Sequence, residues 1–218
     1  MLLDVDEALR YLGVRAPDQA LRDEAEALAR EIRQRITPRF TYREFDVTLT
    51  PTGAALENAG MCLKGSLAVR MLKECPRAAL MVCTLGTTFD AWLRQEQARN
   101  MARAVLLDAC GSAYVEAGCE EAQREIASRH PGAFLTDRFS PGYGDLPLET
   151  QRPLLAAVDA ARRLGVYLTD SCLMNPSKSV TAVIGLSDRP QRARIRGCAF
   201  CAMNKTCTLR ERGEHCAV

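Results

Sequence analysis

The apolar run RAALMVCTLG, residues 77–86, constrains the fold of this chain more than any other stretch. Its apolar residues follow one another without the polar alternation of a strand that has a solvent-facing side, and Gly86 ends the run. This length and pattern are typical of a β-strand that is covered on both faces. The sequence therefore predicts a sheet with this strand in its interior, and other parts of the chain must supply the covering layers.

Helical periodicity elsewhere in the chain predicts those layers. Asp4 and Glu7 have the spacing of a capping box at the start of the first helix. Asn100 is expected to divide a long helical region into two helices, and Gly165 is expected to close the last helix. Helices are predicted within residues 4–12, 17–36, 66–75, 87–129 and 148–165.

Shorter runs of β-branched and aromatic residues predict about five strands in all. The last two, LTDSCLM and SVTAVIGLS, are expected to form a β-hairpin across NPSKS, within residues 168–187. Helices and strands alternate irregularly, and no tandem repeat of fixed period occurs. The sequence therefore predicts one α+β domain over residues 1–188, with a mainly antiparallel sheet packed against helices.

Charge and hydropathy exclude several classes of partner. Lys and Arg total 29 against 27 Asp and Glu, so the net charge of +2 gives no reason to expect nucleic acid or an anionic membrane as a partner. The N-terminus carries Asp4, Asp6 and Glu7 where a signal peptide has a basic region, and no apolar stretch approaches the roughly 20 residues of a membrane span. We expect a cytoplasmic protein without a membrane partner.

Sequence motifs of several large enzyme classes are missing. The chain has no GxGxxG after a strand, no GxxxxGK[ST], no HExxH and no GxSxG. It has only two histidines, His130 and His215, so acid–base chemistry that uses imidazole is restricted. No catalytic residue is predicted, and any binding site must be argued from local sequence.

Ten cysteines are many for a reducing compartment, in which structural disulfides are rare. Six of them are scattered through apolar or helical runs, where cysteine behaves as a small buried hydrophobe. Those six are Cys62, Cys75, Cys83, Cys110, Cys119 and Cys172.

The other four cysteines lie together in residues 189–218, which are predicted to be a basic linker and a metal-binding tail. Cys198, Cys201, Cys207 and Cys216 have the spacing C-x2-C-x5-C-x8-C. Four thiolates suit a tetrahedral zinc site or the corners of an iron–sulfur cluster, and His215 could replace its neighbour as a ligand. Disulfides or free thiols are the alternative.

The segment RFSPGYGD has features of a ligand-binding loop. Pro141 fixes one φ angle, and Gly142 and Gly144 allow a ligand to approach backbone N–H groups. Tyr143 adds a ring and a hydroxyl, and Arg138 offers a two-pronged donor for a carboxylate. Composition alone favours an ordinary tight turn.

The surroundings of this segment resemble the activation domain of cobalamin-dependent methionine synthase. In that family an R-x-x-P-G-Y loop binds S-adenosylmethionine and is followed by a helix and an LT-x-S…M-x-P…SV hairpin, an order that residues 138–187 repeat. Upstream, LLDACGSAYVEAGCEEA is similar to the family helix that carries an acidic residue toward the ligand. Glu116 takes that acidic position, with Asp108 about two turns away.

The resemblance implies a role for each matching residue. Arg138 holds the methionyl carboxylate, backbone near Ser140 meets the adenine, and Gly142 allows close packing. Tyr143 and Glu116 line the sulfonium end, where an aromatic face and a carboxylate both stabilise a positive charge. The family's aromatic Y-x-D-W signature is not found here, and AVIG occupies hairpin positions that are aromatic in the long enzymes.

The resemblance further implies a free-standing activation protein. Such a protein presents S-adenosylmethionine to inactive Co(II) cobalamin on a partner methionine synthase or corrinoid protein, with one electron from an acidic donor such as flavodoxin or ferredoxin. It is then a component of a methyltransferase reactivation system. The alternatives are an S-adenosylmethionine-binding regulatory module without turnover, and a zinc-stabilised interaction protein in which RFSPGYGD is only a turn.

Overall fold

A computed structural model describes residues 1–14, 16–191 and 195. The four clustered cysteines and His215 lie outside these residues. The chain divides into two compact units, each built from three segments, and the units are treated separately below. The first unit comprises Met1–Thr41, Val82–Glu125 and Asp159–Val180, and the second comprises Tyr42–Met81, Ile126–Val158 and the residues from Thr181 onward.

The described residues form seven α-helices, one short 3-10 helix and eight strands. The helices are α1 (Val5–Tyr11), α2 (Gln19–Arg35), α3 (Ser66–Leu72), α4 (Gly86–Arg99), α5 (Met101–Arg129), the 3-10 helix (Leu148–Thr150), α6 (Gln151–Ala157) and α7 (Ala160–Leu164). The strands are β1 (Arg39–Thr50), β2 (Gly53–Leu56), β3 (Met61–Lys64), β4 (Arg77–Thr84), β5 (Phe134–Leu135), β6 (Tyr167–Leu168), β7 (Met174–Asn175) and β8 (Ser179–Ser187).

Side-chain caps fix the starts of α1 and α2 in the first unit. The Asp4 carboxylate accepts the Glu7 N–H at 3.1 Å at the start of α1. Asp18 accepts the Leu21 N–H at 2.8 Å and so begins α2. Both arrangements satisfy donors that a helix start leaves unpaired. The sequence suggests Pro17 for the first turn of α2, but with Asp18 as the cap and Gln19 as the first helical residue Pro17 precedes the helix.

The break at Asn100 is confirmed. Asn100 ends α4 with an extended backbone, and its side-chain oxygen accepts the Arg103 N–H at 3.2 Å in the first turn of α5. α5 then continues to Arg129, and its Gly111 packs against the fully buried ring of Phe89 on α4.

A six-stranded sheet has the order β3-β2-β1-β4-β8-β5, and most of its residues belong to the second unit. β1 pairs with β2, β2 with β3, and β5 with β8, all antiparallel. In β4 every residue after Arg77 is buried, so the apolar run is a buried strand, as the sequence predicts. β2 and β3 form a meander with β1 that the sequence does not predict.

The predicted hairpin across NPSKS is wrong. The segment before it folds back on itself, because Thr169 accepts the Cys172 N–H and donates its own N–H to Leu173. This turn pairs β6 with β7 in a separate two-stranded sheet, with Tyr167 opposite Asn175. β8 instead joins the six-stranded sheet.

The helix expected within residues 148–165 is interrupted. Asp159 has a left-handed backbone with a φ of 55°, which separates α6 from α7. Gly165 closes α7 in a left-handed conformation, as predicted. Within the described residues, no helix combines the length and the apolar character that a membrane crossing requires.

Candidate functional site

The RFSPGYGD segment begins beside β8 in the second unit. Phe139 is fully buried and exchanges two backbone hydrogen bonds with Val183, at 3.1 and 2.8 Å. Arg138, one residue before Phe139, is half-buried.

Hydrogen bonds within the segment define its turn. The Ser140 hydroxyl donates to the Thr181 carbonyl at 2.7 Å, which fixes the entry to the turn. The Gly142 N–H donates to the Leu146 carbonyl at 2.9 Å, and the Tyr143 N–H donates to the Ser140 carbonyl at 3.0 Å. These two amides therefore belong to the turn, and the expectation that Gly142 offers a free N–H is wrong.

The outer surface of the turn has the properties that a ligand cradle needs. Gly142 and Gly144 both have positive φ angles, 91° and 54°, which favour glycine. Gly142 is exposed, and the ring of Tyr143 is 54% exposed. A ligand can therefore pack against an uncovered backbone beside an accessible aromatic face.

Asp145 fastens the end of the turn to α3. Its carboxylate accepts the Leu67 N–H at 2.9 Å and the Ser66 N–H at 2.6 Å. Gly65, at the start of α3, has no side chain that could satisfy these donors. The bonds from Leu67 and Ser66 lower the pKa of Asp145 to about 2.

The pKa of Asp145 gives a direct test of this contact. A carboxyl held by two N–H donors is expected to titrate near pH 2 rather than near the usual value of about 3.9 for aspartate. The cap should therefore persist on acidification through pH 4 and be lost as the pH falls toward 2. Carboxyl and amide NMR shifts of Asp145, Ser66 and Leu67 should share one midpoint, and a midpoint near 4 would contradict the contact.

The chain after β8 makes two long-range contacts, and the second lies beside the start of RFSPGYGD. The Gln191 side-chain oxygen lies 3.8 Å from the Cys75 sulfur. The Ile195 N–H donates to Asp137 at 3.1 Å, one residue before Arg138. The described chain thus ends in contact with the start of the candidate loop.

Glu116 lies in the first unit, on α5, and is half-buried. In that unit partial burial raises the pKa of Tyr11, and a hydrogen bond to Glu7 and the charges of Glu7 and Glu116 raise it further. The Glu116 carboxylate is therefore near enough for its charge to act on the Tyr11 hydroxyl. The Tyr11 hydroxyl stays protonated and can act as a hydrogen-bond donor there.

Asp108, the other acidic residue that the sequence places on this helix, is paired with Lys178. The Lys178 ammonium lies 2.9 Å from the Asp108 carboxylate and donates to the Ser112 hydroxyl at 2.8 Å. A polar cluster holds the loop that carries Lys178, with buried Asp90 accepting the N–H and the hydroxyl of Ser177, both at 2.8 Å. Lys178 is thus a fixed cation.

Asp108 and Ser112, together with Tyr11, border a groove of about 440 Å³ on α5, a volume within the usual range for ligand sites. Apolar side chains line most of it, and Asp108, Ser112 and Tyr11 supply polar groups. The residues that line it are Tyr11, Leu12, Gln97, Met101, Ala104, Val105, Asp108, Ala109 and Ser112.

Of the six described cysteines, five are buried and Cys62 is half-buried. Burial raises the pKa of Cys75 and of Cys110 to about 11. The prediction of core residues is confirmed for the five buried cysteines, whereas Cys62, on β3, lies outside the core. Among the described residues, no group of three or more His, Cys, Asp or Glu side chains is placed to hold a metal ion.

The structure is similar to a crystal structure of the MetH reactivation domain bound to AdoHcy. The TM-score is 0.61 over 90% of this chain and 73% of that chain, at 14% sequence identity. No family model matches the sequence, and no curated protein matches it either. The likeness shows the fold, an α+β arrangement of helices and a mainly antiparallel sheet, as the sequence predicts.

Four of the five predicted ligand residues, Arg138, Ser140, Gly142 and Tyr143, lie on one turn of the second unit. The structure adds Asp145 beside them and Tyr11, Ser112 and Lys178 around α5, none of which the sequence singled out. The start of α3, in the sequence KGS, has no local side chain that caps its first N–H groups, so an acceptor for them must come from elsewhere. No sequence pattern identifies Asp145, 78 residues later, as that acceptor.

Proposed function

We propose that this protein binds S-adenosylmethionine and supports the reactivation of a cobalamin-dependent methyltransferase in the cytoplasm. The observation that carries the proposal is the preformed turn at residues 138–145, in a chain with the fold of a domain that has been crystallised with AdoHcy. The expected partner is a methionine synthase or corrinoid protein that carries the cobalamin.

The residues of the turn fit such a ligand. Arg138 supplies a guanidinium for the carboxylate of the methionyl group, which it can bind through two parallel hydrogen bonds. Exposed Gly142 lets the ligand approach the backbone, and the exposed ring of Tyr143 offers a face to the sulfonium. Ser140 acts through its backbone, since its hydroxyl is already bonded to Thr181.

Glu116 is assigned to the sulfonium end on the basis of the sequence resemblance. A carboxylate near a sulfonium stabilises its positive charge, and the Glu116 charge already reaches the Tyr11 hydroxyl in its own unit. Replacing Glu116 with Gln keeps the shape and removes the charge. This variant should weaken S-adenosylmethionine binding more than binding of neutral S-adenosylhomocysteine.

When bound, S-adenosylmethionine supplies an activated methyl group for the partner's Co(II) cobalamin, and a flavodoxin- or ferredoxin-type donor supplies one electron. The task of this chain is to bind and orient the ligand and to keep water from it. We therefore assign it no acid–base residue. Residues 1–188 form the activation-domain-like part in this proposal.

Calorimetric titration with S-adenosylmethionine on anaerobically purified protein tests the proposal. Binding in the micromolar range is expected, and no heat at millimolar ligand would overturn it. A second assay follows Co(II) corrinoid protein, reductant and S-adenosylmethionine by the cobalamin absorption spectrum. Tight binding without any spectral change on adding the protein would favour a regulatory module without turnover.

The tail, residues 189–218, is assigned a metal in the same proposal. Cys198, Cys201, Cys207 and Cys216 supply four thiolates, a donor set suited to an iron–sulfur cluster or to zinc. Ile195 is bonded to Asp137 beside Arg138, and Cys198 follows three residues later. In this proposal an iron–sulfur cluster held by the four thiolates would relay the donor's electron to the partner's Co(II) cobalamin.

Metal analysis of anaerobically purified protein checks this assignment. A stoichiometric metal centre is expected, with iron, acid-labile sulfide and visible absorption for a cluster, or zinc without colour for a structural site. Cys198→Ser with Cys201→Ser should abolish it, whereas Cys62→Ser, a half-buried thiol in β3, should leave it intact. Protein that is free of metal, or equal loss in Cys62→Ser, would contradict the tail site.

A further inference from the structure

The candidate loop is joined to α3 by one side chain. The Asp145 carboxylate accepts both the Ser66 and the Leu67 N–H, 79 and 78 residues away in sequence. The first N–H groups of a helix have no partner within the helix. Asp145 therefore supplies from a distant loop the cap that a local side chain usually provides.

A glycine lets the loop approach α3 this closely. A Cβ atom at Gly65 would lie 2.6 Å from the Asp145 carbonyl oxygen and 2.7 Å from its carboxylate, and the φ of Gly65 is 111°. On the loop side, Gly144 has a φ of 54°, which favours glycine, while a Cβ there would meet Leu67 at an ordinary contact distance of 3.4 Å. The contact thus depends on Gly65 as well as on the carboxylate.

The position of this contact sets the shape of the turn. Ser140 fixes one end of the turn to Thr181, and Asp145 fixes the other end to α3. Between these ends the N–H groups of Gly142 and Tyr143 are hydrogen-bonded within the turn. A loop held at both ends loses less conformational freedom when a ligand binds, so its affinity for that ligand is higher.

We propose that Asp145 is a positioning residue, which fixes the 138–145 turn through α3 and thereby sets its affinity for ligand. The inference rests on the proposed function for the identity of the ligand, S-adenosylmethionine. Asp145 itself need not touch the ligand. Its effect passes through the conformation of Gly142 and Tyr143.

The test compares Asp145→Ala, Asp145→Asn and the control Glu149→Ala, an exposed acid shortly after the turn. Asp145→Ala removes both acceptors and should weaken S-adenosylmethionine binding by about tenfold. Asp145→Asn keeps one acceptor oxygen and should lose about threefold. Calorimetry gives the affinities at a temperature at which circular dichroism shows each variant folded.

Hydrogen exchange supplies a readout that needs no ligand. In Asp145→Ala the amides of Ser66, Leu67, Gly142, Tyr143 and Leu146 should exchange faster, while those of β2 and β3 should not change. Gly65→Ala, which obstructs the same contact from the α3 side, should give the same exchange pattern and a similar loss of affinity.

The outcomes distinguish the positioning role of Asp145 from the proposed binding of S-adenosylmethionine. Faster exchange in the turn with weaker binding, partly rescued in Asp145→Asn, supports the inference. Faster exchange with parental affinity would mean that Asp145 has only a structural role. Unchanged exchange would mean that Asp145 does not fix the turn. Either result overturns the proposal that Asp145 sets the affinity for ligand. If the parent binds no S-adenosylmethionine, the proposed function fails and the affinity part of the inference fails with it, while exchange still decides whether Asp145 fixes the turn.

Discussion

Replacing Arg138 with alanine is expected to weaken S-adenosylmethionine binding by about 10- to 150-fold. Hydrogen bonds to charged groups contribute about 1.5 to 3 kcal/mol, and each 1.4 kcal/mol is a factor of ten in the dissociation constant. Half-buried Arg138 lies between Thr136 and Phe139, whose N–H groups both donate to β8, so its backbone position is fixed. Calorimetric titration of parent and variant measures the change.

Two further variants separate the contribution of the guanidinium from that of charge alone. Arg138→Lys keeps the charge and loses the two-pronged geometry, so an affinity between those of parent and alanine variant is expected. Arg152→Ala removes an exposed arginine from α6 and should bind as the parent does. If Arg138→Ala retains the parental affinity, the turn does not hold the ligand carboxylate, and the interaction-protein alternative is favoured.

The sequence correctly predicted those elements that a short stretch of residues is enough to indicate. A continuous apolar run defined β4, and capping side chains defined the starts of α1 and α5. β2 and β3 were missed because each has only four residues, and their small residues, as in Gly53–Leu56, resemble a loop. Such strands exist through pairing with β1, which no short window of sequence contains.

The wrong hairpin shows where a turn signal misleads. NPSKS has the composition of a hairpin loop, yet the chain turns earlier, at Thr169 to Leu173, where Cys172 has a positive φ of 61°. Cysteine is an unusual residue in that conformation. Propensity therefore favoured the later segment, and hydrogen bonds from Thr169 determined the actual turn.

The candidate site could be predicted only where it is linear in sequence. Arg138 to Tyr143 form one motif, and the resemblance of residues 138–187 to a known family identified them where composition alone favoured an ordinary turn. The support for that motif comes from Thr181 and from α3, at sequence distances of 41 and 79 residues. Gly142 and Gly144 do adopt positive φ angles, but the pattern could not reveal that the Gly142 N–H is already bonded.

Alanine at Gly111 is expected to destabilise the protein by about 2 kcal/mol, although alanine is the better helix former. In an exposed helix interior, Gly→Ala stabilises by about 0.5 to 1 kcal/mol. At Gly111 the added Cβ would lie 2.2 Å from Cζ and 2.7 Å from Cε1 of Phe89, which is fully buried. Overpacking of this kind costs about 1 to 3 kcal/mol and exceeds the gain in helix propensity.

Urea unfolding of a double-mutant cycle tests the cause. Phe89→Leu removes the ring atoms that the new Cβ would meet, so Gly111→Ala should cost at least 1 kcal/mol less in that background than in the parent. Additive effects would show that the ring is not the obstacle.

A second measurement follows the position of α5, which carries Asp108 and Glu116. If α5 moves to relieve the clash, the contact between Asp108 and Lys178 shifts as well. The Lys178 ammonium resonance should then change in Gly111→Ala and return in the double variant.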